Sequence, residues 1–123
     1  MLGLNEIGYP FDEVMEKYEI LVDYLREAEP EAKLIIMANL HVTTEYSDGH
    51  PYITNPNINA LNELMSGCAD GEDILYLDVS GVFDDENGGL KSELTSDGVH
   101  FYAVNYMEWG QWIKEQTELL INK

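Results

Sequence analysis

The chain has 123 residues, 45% of them hydrophobic and 11% aromatic, which suits one small core rather than several domains. Its 24 Asp and Glu against 6 Lys and Arg leave a formal net charge of −18. Such a surface repels phosphate backbones and anionic lipid, so nucleic-acid and membrane-surface roles are set aside, and the single cysteine, Cys68, excludes an intrachain disulfide.

In chain order, "MLG" (1–3) reads as the stub of a strand, followed by the polar pair Asn5 and Glu6. Residues 11–29 place Phe11, Val14, Met15, Tyr18, Leu21, Val22 and Leu25 on one helical face, with Pro10 at the start and Pro30 as the stop. "KLIIMANL" (33–40) is short and apolar and predicts a buried strand. Residues 41–56 are rich in turn formers and predict a long loop. A second helix is expected from about Pro56, with Ile58, Leu61, Leu64 and Met65 inward and Gly67 as its stop. "DILYLDV" (73–79) predicts the second strand, and a last helix is expected over about 102–121. Cys68, at the end of the second helix, reads as a buried thiol.

The alternation of helix and strand predicts an α/β layered fold with a parallel sheet. Two full strands, both read as buried on both faces, make a poor sheet, and the deficit lies on the N-terminal side. In open sheets of this kind, ligands collect beyond the carboxyl ends of the strands. Asn5 and Glu6, His41, and the pair Asp97 and His100 all fall there.

"SDGVHF" (96–101) is the most suggestive of these stretches. An Asp three residues before a His, across a glycine turn, can accept the imidazole Nδ1–H and leave Nε2 free to take a proton. The plainer alternative is an Asp capping the last helix beside an ordinary surface His, and spacing alone favours that cap. Trp109 and Trp112, with Tyr102 and Tyr106, read either as core packing at helical spacing or as a sugar platform, with packing favoured. His41, His50 and His100 show no metal-ligand spacing, and the acidic loop from Asp84 fails as a calcium hand because its twelfth position is Thr95. No metal and no cofactor are expected. The N-terminus lacks a basic region followed by an apolar core, so no secretory signal is read, and a cytoplasmic location follows if Met1 is the native start.

Taken together, these stretches resemble the SGNH hydrolases, also called GDSL-type esterases or acylhydrolases. "LTSDGVHFYAVNYMEWGQWI" (94–113) is similar to that family's C-terminal Asp-x-x-His signature and following helix. "NINALNELM" (57–65) and "ILYLDVSGVFDDENGGLKSEL" (74–94) are similar to its run into that signature, and "GLNE" (3–6) resembles its G-x-N-D block, with Glu6 in place of Asp. The resemblance implies a three-layer, flavodoxin-like fold whose N-terminal strands are missing, with residues 1–123 forming one partial domain. It also implies that His100 is the general base, that Asp97 orients it, and that Asn5 donates to the oxyanion from the turn begun by Gly3. The family's G-D-S nucleophile block has no match, and none of Ser47, Ser66, Ser80, Ser92 and Ser96 stands in its context. The implied substrate is a small ester, an acylated sugar or a lipid-like molecule. Two readings follow: the C-terminal part of a serine esterase, or a non-catalytic remnant of the same fold. In either case the open strand edge at 33–40 predicts a homodimer or larger assembly.

Overall fold

The computed structural model describes residues 2–123, so Met1 of the expected strand stub lies outside it. Leu2 and Gly3 are not strand, and they lead into a single 3₁₀ turn over Leu4–Glu6. Helix α1 covers Phe11–Ala28 and strand β1 covers Leu34–Met37. Two helices follow, α2 (Thr44–Gly49) and α3 (Asn55–Ser66), then β2 (Ile74–Leu77) and α4 (Asn105–Ile121). β1 and β2 pair in parallel, from Leu34 opposite Ile74 to Met37 opposite Leu77. The α/β layering and the parallel sheet are thus as the alternation predicts.

Several expectations are corrected. The strands are shorter than the apolar runs and are not buried throughout: β2 is buried at alternate positions, and β1 only at Ile36. The loop at 41–56 contains α2, because Thr43 Oγ1 accepts from Tyr46 N at 3.2 Å and caps a turn that buries Ser47. α3 is capped likewise, with Thr54 Oγ1 accepting from Asn57 N at 3.3 Å. It does not end in a left-handed glycine. Gly67 has φ −65°, and the last turn tightens instead, with Gly67 N bonding Leu64 O at 3.2 Å. α4 begins at Asn105 rather than about 102, since Tyr102 N is held by Leu94 O at 2.9 Å. Cys68 is half-buried rather than buried.

The core has two parts. One gathers Ile7, Met15, Val22, Ile36, Val42 and the α3 residues Ile58, Leu61 and Met65. The other packs Ala38, Leu40, Val79, Phe83, Leu90 and Phe101, with Trp109 and Trp112 of α4 against it. The predicted inward face of α1 is only partly covered: Leu21 and Leu25 are exposed, and both line an apolar groove beside β1 with Leu2 and Ile35. Leu64 of α3 is also exposed. No helix among the described residues is long and apolar enough to cross a membrane.

Candidate active site

The Asp97–His100 segment is shaped by one carboxylate. Asp97 Oδ1 accepts from Val99 N and His100 N, both at 2.8 Å, and from Thr95 Oγ1 at 3.2 Å. Its Oδ2 faces His100 Nδ1 at 2.7 Å. The carboxylate therefore closes a tight turn and orients the ring at once. The helix-cap alternative does not hold, because α4 starts at Asn105 and no side chain caps it. Gly98 makes the turn possible, with φ +88° and a site where an added Cβ would stand 2.9 Å from both Thr43 Oγ1 and Tyr46 Cβ. Gly98 O accepts from Thr43 N at 2.9 Å, so the turn is docked on the start of α2. The N–H groups of His100 and Val99, and then the His100 ring, hold the Asp97 carboxyl far below the usual carboxylate range.

His100 is exposed, and Asp97 is its only side-chain hydrogen-bond partner among the described residues, which leaves Nε2 open. The ring lies on a cavity of about 390 Å³ whose wall also includes Asn5, Gly3, His41 and Asn39. Asn5 sits in the 3₁₀ turn closed by Glu6 N bonding Gly3 O at 2.9 Å. Gly3, with φ +129°, is packed so closely that an added Cβ would be 2.9 Å from Leu61 Cδ2 and 3.0 Å from Asn39 Nδ2. The structure thus brings Asn5, from the other end of the sequence, to the same cavity as Asp97 and His100. Glu6 lines it too.

His41 also reaches the cavity wall, but both its ring nitrogens are taken. Nδ1 meets Asp84 Oδ2 at 2.6 Å and Nε2 meets Asn59 Oδ1 at 2.6 Å. Spacing gave no sign of the Asp84 partner. His50 has one ring nitrogen occupied, its Nδ1 accepting from Ile53 N at 2.8 Å and Tyr52 N at 3.1 Å. Of the aromatic residues, Trp109 takes the packing role that helical spacing favours. It packs edge-on to the buried Phe101, with centroids 5.6 Å apart, and together with Tyr106 it lines the cavity.

No serine is hydrogen-bonded to His100 among the described residues. Ser47 Oγ accepts from Asn55 N at 2.9 Å, Ser66 Oγ donates to Glu63 O at 2.7 Å, and Ser80 Oγ donates to Asp78 Oδ1 at 2.6 Å. Burial, then the charges of Glu19 and Asp23, push the Cys68 thiol up, which disfavours a thiolate nucleophile. No group of three metal-ligating side chains occurs among the described residues.

Comparison with known proteins bears on this arrangement. Residues 1–106 match the family model described as "GDSL-like Lipase/Acylhydrolase family". No curated protein matches the chain. Eight solved chains match, and one of them is a structure from Streptococcus pneumonia described as that of a platelet activating factor. It is 23% identical, with a TM-score of 0.83 over 94% of this chain and 56% of its own. At that identity the likeness speaks for the fold, and the chain spans little more than half the length of that relative.

Proposed function

Because the chain belongs to the GDSL-like lipase/acylhydrolase family, we propose that it is the C-terminal part of a serine ester hydrolase in which His100 is the general base, Asp97 orients it and Asn5 donates to the oxyanion. The observation that carries this reading is the exposed His100 ring, held through Nδ1 by Asp97 at 2.7 Å with Nε2 open, on the same cavity as Asn5. Residues 1–123 are read as one portion of the hydrolase domain. The nucleophile is a serine that none of the five in this sequence provides.

In the reaction, the serine hydroxyl gives its proton to His100 Nε2 as its oxygen attacks the ester carbonyl. Asp97 stabilises the imidazolium that forms, and the Asn5 amide donates to the developing oxyanion. The imidazolium then protonates the leaving alcohol, and water, activated by the same ring, releases the acid. Tyr106, Trp109 and Ile53 give the cavity an apolar wall suited to the acyl or alcohol part of a small ester, an acylated sugar or a lipid-like molecule.

The test compares two proteins on a simple activated ester. Residues 1–123 alone are expected to show no His100-dependent turnover. The product of the whole reading frame, extended upstream wherever the frame is open, is expected to turn over, with His100→Ala lowering kcat by about 10⁴-fold or more and Asn5→Ala by about 10²–10³. His100-dependent hydrolysis by residues 1–123 would overturn the external serine. Turnover indifferent to His100→Ala would overturn the whole reading.

The apolar groove beside β1, with Leu21 and Leu25 exposed on it, favours a second reading, a self-associating and non-catalytic member of the family. Pairing of two copies along β1 would cover that groove. Light scattering at micromolar concentration is expected to give a dimer or larger species under either reading, and a stable monomer would overturn the self-association. Absence of His100-dependent turnover in the full reading frame is what would favour the non-catalytic reading.

A further inference from the structure

Asn5 is exposed, and no hydrogen bond to another described residue holds its side chain. Its direction is therefore set by the turn that carries it. An oxyanion donor acts only if it is aimed beforehand, so whatever fixes that turn belongs to the machinery. One anchor is Ile7, buried at the end of the turn. The other lies at the turn's beginning, on Leu2 and Gly3.

There the contact is made by Asn39, 1% exposed and just beyond the carboxyl end of β1. The side chain of Asn62, on α3, grips the Asn39 backbone on both sides. Its Oδ1 accepts from Asn39 N at 2.7 Å, and its Nδ2 donates to Asn39 O at 2.9 Å. With its backbone held, Asn39 points its own Nδ2 at Leu2 O, 3.2 Å away, and at Asn62 Oδ1, 3.2 Å away. Both partners are acceptors, so the amide cannot be turned over without facing oxygen against oxygen. Asn39 Oδ1 is buried and has no partner among the described residues. An amide that leaves its carbonyl unpaired is held in place by what its NH₂ group donates. The missing side chain at Gly3 completes the fit, because an added Cβ would press on Asn39 Nδ2 at 3.0 Å.

We propose that Asn39, locked by Asn62, is a positioning residue for the oxyanion turn, its Nδ2–H donated to Leu2 O fixing the direction in which Asn5 presents its amide. This rests on the hydrolase reading for its purpose, but the contact is testable without substrate.

The experiment measures backbone ¹⁵N order parameters in residues 1–123. In the unmodified chain, Leu4 and Asn5 are expected near the rigid value of about 0.85. In Asn39→Ala they are expected to fall below about 0.6, the flexible range. Val79→Ala is the control, since Val79 is fully buried in the other half of the core. It removes packing without touching the turn and is expected to leave both amides rigid.

Asn39→Asp separates donation from shape. The buried carboxyl would face two oxygens, which disfavours its charged form and raises its pKa. Above the raised value, with the group ionised, the turn is expected to be loose. As pH falls through the raised value the carboxyl gains an O–H, donates to Leu2 O, and the order returns. Asn39→Ala shows no such return. A turn as rigid in Asn39→Ala as in the unmodified chain would overturn the proposal, and so would equal loosening in Val79→Ala. Absence of acid recovery in Asn39→Asp would do the same, and that arm decides if the alanine variant fails to fold. Lack of esterase activity in the full reading frame would sink the hydrolase reading and leave these order parameters unaffected.

Discussion

Two histidine–aspartate pairs stand on or beside the same cavity, and they make the same bond. His41 Nδ1 is 2.6 Å from Asp84 Oδ2, and His100 Nδ1 is 2.7 Å from Asp97 Oδ2. Everything around the bond differs. The His41 and Asp84 side chains are 9% and 13% exposed, while those of His100 and Asp97 are 74% and 51% exposed. The second nitrogen of His41 is spent on Asn59, and that of His100 is open. A carboxylate beside an imidazole therefore does not by itself mark a base. The pair with a ring nitrogen to spare is the one whose Nε2 has no partner among the described residues, and the buried pair joins the end of β1, the loop after β2 and α3.

The largest effect should come from breaking the buried pair. Asp84→Ala leaves His41 buried without its carboxylate, and removal of one partner of a buried pair typically costs about 3 kcal/mol or more. Asp97→Ala, at the exposed pair, should move the unfolding transition less, because solvent screens the pair and water can reach the exposed Val99 and His100 N–H groups it leaves unpaired. Urea unfolding of the two variants checks this. Equal losses would erase the distinction between a structural pair and an open one.

The two pairs also differ in how far sequence exposes them. Asp97 and His100 lie within one turn, so the residue types and the glycine between them suffice to suggest a contact. Asp84 is 43 residues from His41 and is brought to it only by the parallel pairing of β1 and β2. His41 was legible as a residue after a strand, but its saturation by Asp84 and Asn59 was not. Asn39 was hidden for a different reason. It sits in the apolar run 33–40, which reads as strand to its end, yet β1 stops at Met37. Beyond that point the backbone of Asn39 is bonded to a side chain, Asn62, and a pattern of apolar residues carries no trace of such a switch. The layering of helices and strands was legible because it depends on periodicity, and the start of α4 was not, because it depends on the Leu94–Tyr102 backbone bond.

A smaller effect should separate the pairs by geometry. Gly98→Ala adds a Cβ at φ +88°, 2.9 Å from Thr43 Oγ1 and Tyr46 Cβ, so both backbone and space oppose it. A loss of roughly 1–3 kcal/mol is expected from such strain. The turn carrying Asp97 and His100 must shift off α2, while His41, held from elsewhere, stays put. The imidazole carbon-bound proton resonances report this directly: those of His100 should move and those of His41 should not. Movement of both would mean that the two pairs form one coupled unit.

The smallest effect concerns what holds the Asp97 carboxylate. Its ionised form is favoured first by the His100 N–H, then by the Val99 N–H, and only after these by the His100 ring. Its folded pKa lies below the ordinary Asp value of about 3.9. The sign follows: the carboxylate stabilises the fold above that ordinary value, and the contribution is lost as pH falls through the lower, folded one. With Asp97 about half exposed, that contribution is small, so the measurement is the carboxyl ¹³C shift rather than a melting curve. Asp97 should remain ionised at pH values below the ordinary Asp value. His100→Ala should raise its pKa only in part, because the two backbone donors remain. A return to the ordinary value in His100→Ala would make the ring the main support of the carboxylate. The Asp97 turn would then depend on His100, the reverse of the order in which the backbone N–H groups set the carboxylate and the carboxylate sets the ring.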